Sequence, residues 1–286
     1  MSEHDETLRF SLEARLQHGL LAVSLAVLLL TGLPIKFATL PWAHVVTAFF
    51  GGFPALLSAH FAAAALLAGV AVFYLVTLIR ALVRGRLDFS IVPRPSDFVD
   101  FGRHLAYLIG LRPERPRFGK FTWWEKFEFW AVVWGTTLMG LSGLILAFPE
   151  RASSFLPRWV VGVARVAHSN EALLAFLAVV IGHVFAVHLS PHVFPGSTVW
   201  WNGRISLAQL HEDHAALYDL LAAARTPAAA PPPAAPPPAA SRASASPVAV
   251  KAGPRVADRT LIAVELVVFL GLVAAVWVGL VPYLLK

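Results

Sequence analysis

Five stretches of this chain are close to unbroken runs of apolar residues: 19–35, 54–79, 129–148, 172–189 and 261–285. Each approaches the roughly 20 residues an α-helix needs to cross a bilayer core of about 30 Å, so the pattern predicts five transmembrane helices. No internal repeat is evident among them. Two longer polar segments separate the runs. The first, 85–125, is basic and proline-bearing, with one short helix expected from about Asp97 to Gly110. The second follows Pro195; "ISLAQLHEDHAALYDLLAAA" has helical periodicity and gives way to "TPAAAPPPAAPPPAASRASASP". That Ala/Pro composition cannot build a core and is expected to form an extended, disordered tether. The expected organisation is therefore an all-α membrane domain over 1–216, a linker over 217–259 and a C-terminal transmembrane helix over 260–286. This fifth helix brings no histidine and only Glu265 as a charge near its inner end, so it is expected to be an accessory anchor.

Composition agrees with the pattern. The chain is 57% hydrophobic and 14% charged, with a mean hydropathy of +0.67, whereas soluble domains carry about a quarter charged residues. The leader "MSEHDETLRFSLEARLQ" is mixed in charge, and no small-x-small site follows the first run. The first helix is therefore expected to be retained rather than cleaved. With the N-terminus cytoplasmic, 18 of the 23 Lys and Arg residues fall on the inner side and five on the outer, as the positive-inside rule demands. Topology thus accounts for the net charge of +6, and no nucleic-acid partner is needed. The expected location is a bacterial cytoplasmic membrane. The chain has no cysteine, which excludes thioether-linked haem, cysteine-ligated iron–sulfur clusters and disulfides.

Eleven histidines are present. His4, His104, His211 and His214 fall in segments expected to be solvated. The i,i+3 pair His211 and His214 could bind a metal but is better explained by ordinary helix polarity. His44 and His192 receive no role. The remaining ones pair by depth. His18 opens the first helix at the inner side, and His60 lies about two turns inside the outer end of the second. His168 marks the outer end of the fourth, and His183, fifteen residues on, lies about 22 Å nearer the cytoplasm. His60 therefore matches His168, and His18 matches His183. At 100° per residue His168 and His183 differ by roughly 60° in azimuth, while His188 would lie about 200° from His168. His183 is thus the better partner and His188 the alternative. Two axial imidazoles per iron, at two depths of a four-helix bundle, are what two b-type haems require. Gly32, Gly135, Gly140 and Gly143 could admit the flat macrocycles, although close helix packing also uses glycine. A histidine-lined metal or ion transporter is the rival reading. It would call for further acidic residues inside the helices, whereas Glu128, Glu171 and Glu265 are all expected near membrane ends. A cofactor-free anchoring subunit would leave the matched histidines unexplained.

The stretches "RFSLEARLQHGLLAVSLAVLLLTGLPIKF", "EKFEFWAVVWGTTLMGLSGLILAFP", "HSNEALLAFLAVVIGHVFAVHLSPHVFP" and "NGRISLAQLHEDH" together resemble the dihaem membrane cytochrome b subunits related to the gamma subunit of respiratory formate dehydrogenase and to thiosulfate-reductase cytochrome b. The resemblance runs from residue 8 to about 216. It implies four helices holding two b haems, with His18 and His183 as ligands of the inner one and His60 and His168 of the outer. It also implies electron transfer between the quinone pool and a redox partner on the outer face: a multihaem cytochrome c, an iron–sulfur protein or a molybdenum oxidoreductase. Two departures stand out. The spacing between the two ligands on the fourth helix is one residue longer than in formate dehydrogenase gamma, an offset a local bulge could absorb. Thr122 stands where that protein has an asparagine near the quinone. Thr122, Lys126 and His104 are therefore only weak quinone-site candidates, and an interfacial aromatic belt around Trp123 and Trp124 explains the stretch better.

Overall fold

The computed structural model describes residues 5–190, 193–194 and 196–225. The fifth span, most of the Ala/Pro tether, His4 and His192 lie outside the described residues. Four long helices dominate: α1 (Leu12–Lys36), α3 (Phe53–Val83), α5 (Trp123–Ala147), and α7 (Trp159–Leu177), which continues as a π-helix over Ala178–Leu189. Each is long and apolar enough to cross a membrane, with mean hydropathies of 2.0, 2.4, 1.6 and 2.4. Short helices join them at one end: α2 (Pro41–Phe49) between α1 and α3, and α6 (Pro149–Phe155) between α5 and α7. The helices pack as two hairpins, α1 on α3 and α5 on α7, and α1 also lies against α7. Little of the apolar surface is covered by protein. Leu30, Leu75, Trp134 and Ile181 are among many large side chains pointing outward, as suits a lipid solvent.

All four long helices begin before their apolar runs, and α5 and α7 show why. The start of α5 is a capping box: the Thr122 hydroxyl accepts from Glu125 N at 3.1 Å and the Glu125 carboxylate accepts from Thr122 N at 2.8 Å. Two orphan donors are satisfied by the short pattern T-x-x-E, and the mixed first turn "WWEKFE" conceals this from hydropathy. α7 begins at Trp159, thirteen residues before the apolar run, because Arg165 and the His168–Glu171 tetrad dilute the signal without breaking the helix. Glu171 therefore lies about 18 Å along the helix from the start of α7.

The end of the bundle that carries the N-terminus is closed by a cap. Strand β1 (Glu6–Leu8) pairs antiparallel with β2 (Arg204–Ser206), in the register Thr7 opposite Ile205. Between β2 and α7 lies α8 (Val199–Asn202), and after β2 come α9 (Leu207–Asp213) and α10 (Ala215–Arg225). Regular helix thus extends past residue 216 into the segment expected as linker. Val199, Ile205, Leu207 and Leu210 form a small core, with Phe10, Leu217, Tyr218 and Leu221 packed on it. Three ion pairs among the described residues bind this cap to its neighbours: Arg9 with Glu125 at 3.0 Å, Arg115 with Asp213 at 3.1 Å, and Arg117 with Asp219. His214, expected to be solvated, is only 4% exposed. Its Nδ1 donates to Gly119 O at 2.8 Å, and its Nε2 accepts from Arg9 at 3.3 Å. Burial holds this ring below its ordinary pKa despite the nearby Glu125. With both nitrogens committed, it does not form a metal pair with the exposed His211.

The predicted loop helix is present as α4 (Pro95–Leu108). Lys126, 7% exposed, ties it to α5 through Asp97, with Nζ 2.7 Å from Oδ1 and 2.9 Å from Oδ2.

Gly203 is the pivot of the cap. It adopts φ +76°, a left-handed conformation that side-chain-bearing residues avoid, and its carbonyl accepts from Arg9 N and Phe10 N at 2.8 and 3.1 Å. A Cβ here would lie 2.5 Å from Phe10 O. Gly203→Ala is expected to cost about 1–3 kcal/mol and to lower the thermal midpoint in detergent. It should also speed amide exchange in β1 and β2 while leaving the exchange of α3 unchanged.

Candidate haem site

The structure brings the four predicted histidines together as two pairs. His60 on α3 and His168 on α7 face each other with ring centroids 6.4 Å apart, near the end with the short connecting helices. His18 on α1 and His183 on the π-helical continuation of α7 lie 6.1 Å apart, toward the cap. His188 does not join them. It lies against Gly196, where an added Cβ would be 2.7 Å from its Nδ1. The π segment explains how one helix serves both pairs. A π turn holds more residues than an α turn, so each rotates by less than 100°, and the roughly 60° offset of a regular helix shrinks.

Hydrogen bonds fix three of these rings. Thr31 is fully buried and its hydroxyl donates to Val27 O at 2.7 Å; His60 Nδ1 lies 2.8 Å from the same oxygen. Ser142, 4% exposed, donates to Leu138 O at 2.6 Å and meets His168 Nδ1 at 3.0 Å. A hydroxyl has one proton, and in each case the helix carbonyl takes it. The hydroxyl oxygen must therefore accept from the ring, so Nδ1 carries the proton and Nε2 keeps its lone pair. At the other pair, His183 Nδ1 donates to Glu128 Oε2 at 3.2 Å. A carboxylate only accepts, so His183 Nδ1 carries a proton and Nε2 is the nitrogen left for another partner. His18 packs against Trp200 with centroids 6.3 Å apart.

The glycines now separate into types. A Cβ on Gly32 would come within 3.2 Å of His60 Cε1, and one on Gly143 within 3.1 Å of His168 Cε1. These two glycines seat the rings. Gly135 instead admits the Glu171 carboxylate, 3.1 Å from where its Cβ would be, and Gly140 has nothing within 4 Å. Together with the hydroxyls they form a repeat that hydropathy alone does not disclose. "LLLTGLPIKF" at 28–37 and "MGLSGLILAF" at 139–148 align hydroxyl with hydroxyl and glycine with glycine. Each hairpin thus offers one Ser/Thr-Gly pair to one histidine. Thr31, Ser142 and Glu128 had not been expected to matter, and the adjacent hydroxyl and glycine were the available signal.

The three weak quinone candidates are engaged elsewhere. The Thr122 hydroxyl caps α5, Lys126 pairs with Asp97, and His104 Nδ1 accepts from Trp123 Nε1 at 3.2 Å. Burial, with Arg115 nearby, keeps the His104 ring below its ordinary pKa. Trp123 also packs edge-on against Phe101 with centroids 4.9 Å apart, so α4 and the start of α5 share one aromatic junction.

No curated protein matches the chain. A family model described as prokaryotic cytochrome b561 matches residues 9–200, a span that contains all four long helices and both histidine pairs. The donor set suits a b-type haem: imidazoles in pairs, no cysteine to attach a porphyrin covalently, and glycines against the His60 and His168 rings. The chain belongs to the prokaryotic cytochrome b561 family and is a multi-pass bacterial membrane cytochrome b, which carries electrons across the membrane through b-type haem.

Proposed function

We propose that this cytochrome holds two b haems, one between His18 and His183 and one between His60 and His168. In this reading it is the membrane subunit of a respiratory oxidoreductase complex of the kind that includes formate dehydrogenase gamma. The spacing of the ring pairs is the observation that supports this most. A metal ion shared by two imidazoles at about 2.0–2.1 Å from each would need their centroids about 6 Å apart, against 6.1 and 6.4 Å here. The macrocycle supplies the other four nitrogens, so two side chains per iron suffice. Among the described residues no group of three or more His, Asp or Glu converges to hold a bare ion, which weighs against a histidine-lined metal transporter.

When bound, each haem supplies a one-electron couple whose potential follows its axial ligands and surroundings. The chain's own residues do the rest. The four histidines would hold the two haems at different depths, while Thr31, Ser142 and Glu128 fix the orientation of His60, His168 and His183. The apolar helices keep water from the path between them. The excess of Lys and Arg at the capped end supports a cytoplasmic location for it, which makes His18 and His183 the inner site in this reading. A quinone is proposed to exchange electrons near that inner site. The outer-face partner is a multihaem cytochrome c, an iron–sulfur protein or a molybdenum oxidoreductase, since without cysteine the chain must hand its electrons to another subunit's centre.

The purified chain, oxidised and then reduced with dithionite, should show sharp α and β bands and two haems per polypeptide. His60→Ala and His183→Ala should each remove about one haem. Retention of both haems in both variants would defeat the ligand assignment.

Gly143→Leu should displace the His168 ring and lower the stoichiometry from two toward one, by pyridine haemochrome assay. Gly140→Leu, in open space, should retain two. Equal loss in both variants would show that the glycines matter for helix packing and not for the rings.

A further inference from the structure

The two histidine pairs differ in what holds their Nδ1 protons. At the outer pair both acceptors are neutral hydroxyls, Thr31 and Ser142, and each spends its own proton on a carbonyl of its own helix. At the inner pair the acceptor for His183 is the Glu128 carboxylate. Glu128 lies five residues into α5, within the membrane-spanning helix and half-buried. A charged acceptor makes a hydrogen bond roughly twice as strong as a neutral one, and in a low-dielectric surround its field is weakly screened. Both effects push electron density onto the imidazole. A more basic axial ligand stabilises the oxidised metal relative to the reduced one.

We propose that Glu128 is a positioning residue that sets the redox order of the two sites, holding the inner haem at a lower potential than the outer one. This rests on the dihaem reading above. The consequence is directional. An electron delivered to the inner site moves downhill to the outer site, and a singly reduced molecule carries its electron at the outer end. The chain is thus suited to filling from the quinone side and emptying toward the outer-face partner. The reverse flow must be driven by the partner's own potential.

The test is a spectroelectrochemical titration of the full-length purified protein, following the α band. Wild type should give two one-electron waves. His60→Ala should abolish the upper wave and leave the lower one, which assigns the lower wave to the inner site. Glu128→Gln keeps an acceptor of the same shape without the charge. It should raise the lower wave by a tenfold or greater change in its oxidised-to-reduced equilibrium, about 59 mV for one electron, and leave the upper wave in place. A Glu128→Gln titration that superimposes on wild type, or one that moves both waves equally, overturns the proposal. So does the loss of the lower wave in His60→Ala. If Glu128→Gln is isolated without its inner haem, the ferric near-infrared charge-transfer bands of His60→Ala and His183→Ala decide, because their energy follows axial-ligand donor strength. Distinct energies, the inner site showing the stronger donor, support the proposal, and identical energies overturn it. A wild-type protein with no haem, or with one, refutes the dihaem reading itself.

Discussion

An imidazole inside hydrocarbon must find partners for both its nitrogens, because an unsatisfied polar group there costs several kcal/mol. In this protein a neighbouring helix supplies the first partner: Thr31 for His60, Ser142 for His168, Glu128 for His183. Each of these acceptors holds Nδ1 of its ring, which leaves Nε2 as the nitrogen still to be satisfied, with a second imidazole about 6 Å away between centroids. Much of the fold follows from that demand. The hairpins α1/α3 and α5/α7 pair a hydroxyl with a histidine, Gly32 and Gly143 make room for the ring edges, and the π segment brings His183 round to His18.

Hydropathy and helical rise are local properties, and they made four membrane helices and the depth matching of His18 with His183 and His60 with His168 legible from sequence. The helix starts were less so. The opening turn of α5 mixes tryptophan with charge, and α7 carries Arg165, Ser169, Asn170 and Glu171 inside regular helix. A window of averaged hydropathy stops at such turns, whereas the backbone does not. The repeated Ser/Thr-Gly pair was hidden for a different reason. A hydroxyl in a helix ordinarily bonds to its own i−4 carbonyl, and nothing in one strand of sequence shows that a second partner waits on another helix. Strands β1 and β2 lie about 200 residues apart in the chain and are three residues long, too short for any pattern to announce them.

The cap explains the burial of charge at one end. Arg9, Glu125, His214, Asp213 and Arg115 join the N-terminal strand, the start of α5 and the helices that follow α7. Lys126 and Asp97 bind α4 to the same place. Such pairs contribute little where exposed, but here Arg9 and Lys126 are covered, and removing one partner would strand a buried charge. The cap thereby fixes the start of α1 and α5, and with them the heights of His18 and Glu128 relative to His183. At the other pair the two Ser/Thr-Gly contacts seat His60 and His168, and beside it Lys36 at the end of α1 reaches Ser169 and Asn170 on α7 at 3.3 and 2.9 Å.

The central claim is that paired neutral imidazoles ligate iron at two depths of one bundle. The most direct test is low-temperature electron paramagnetic resonance of the oxidised, full-length protein. Two low-spin ferric signals of bis-imidazole ligation, together accounting for all the iron, are the predicted result. A dominant high-spin ferric signal, or a single low-spin species carrying all the iron, would contradict it.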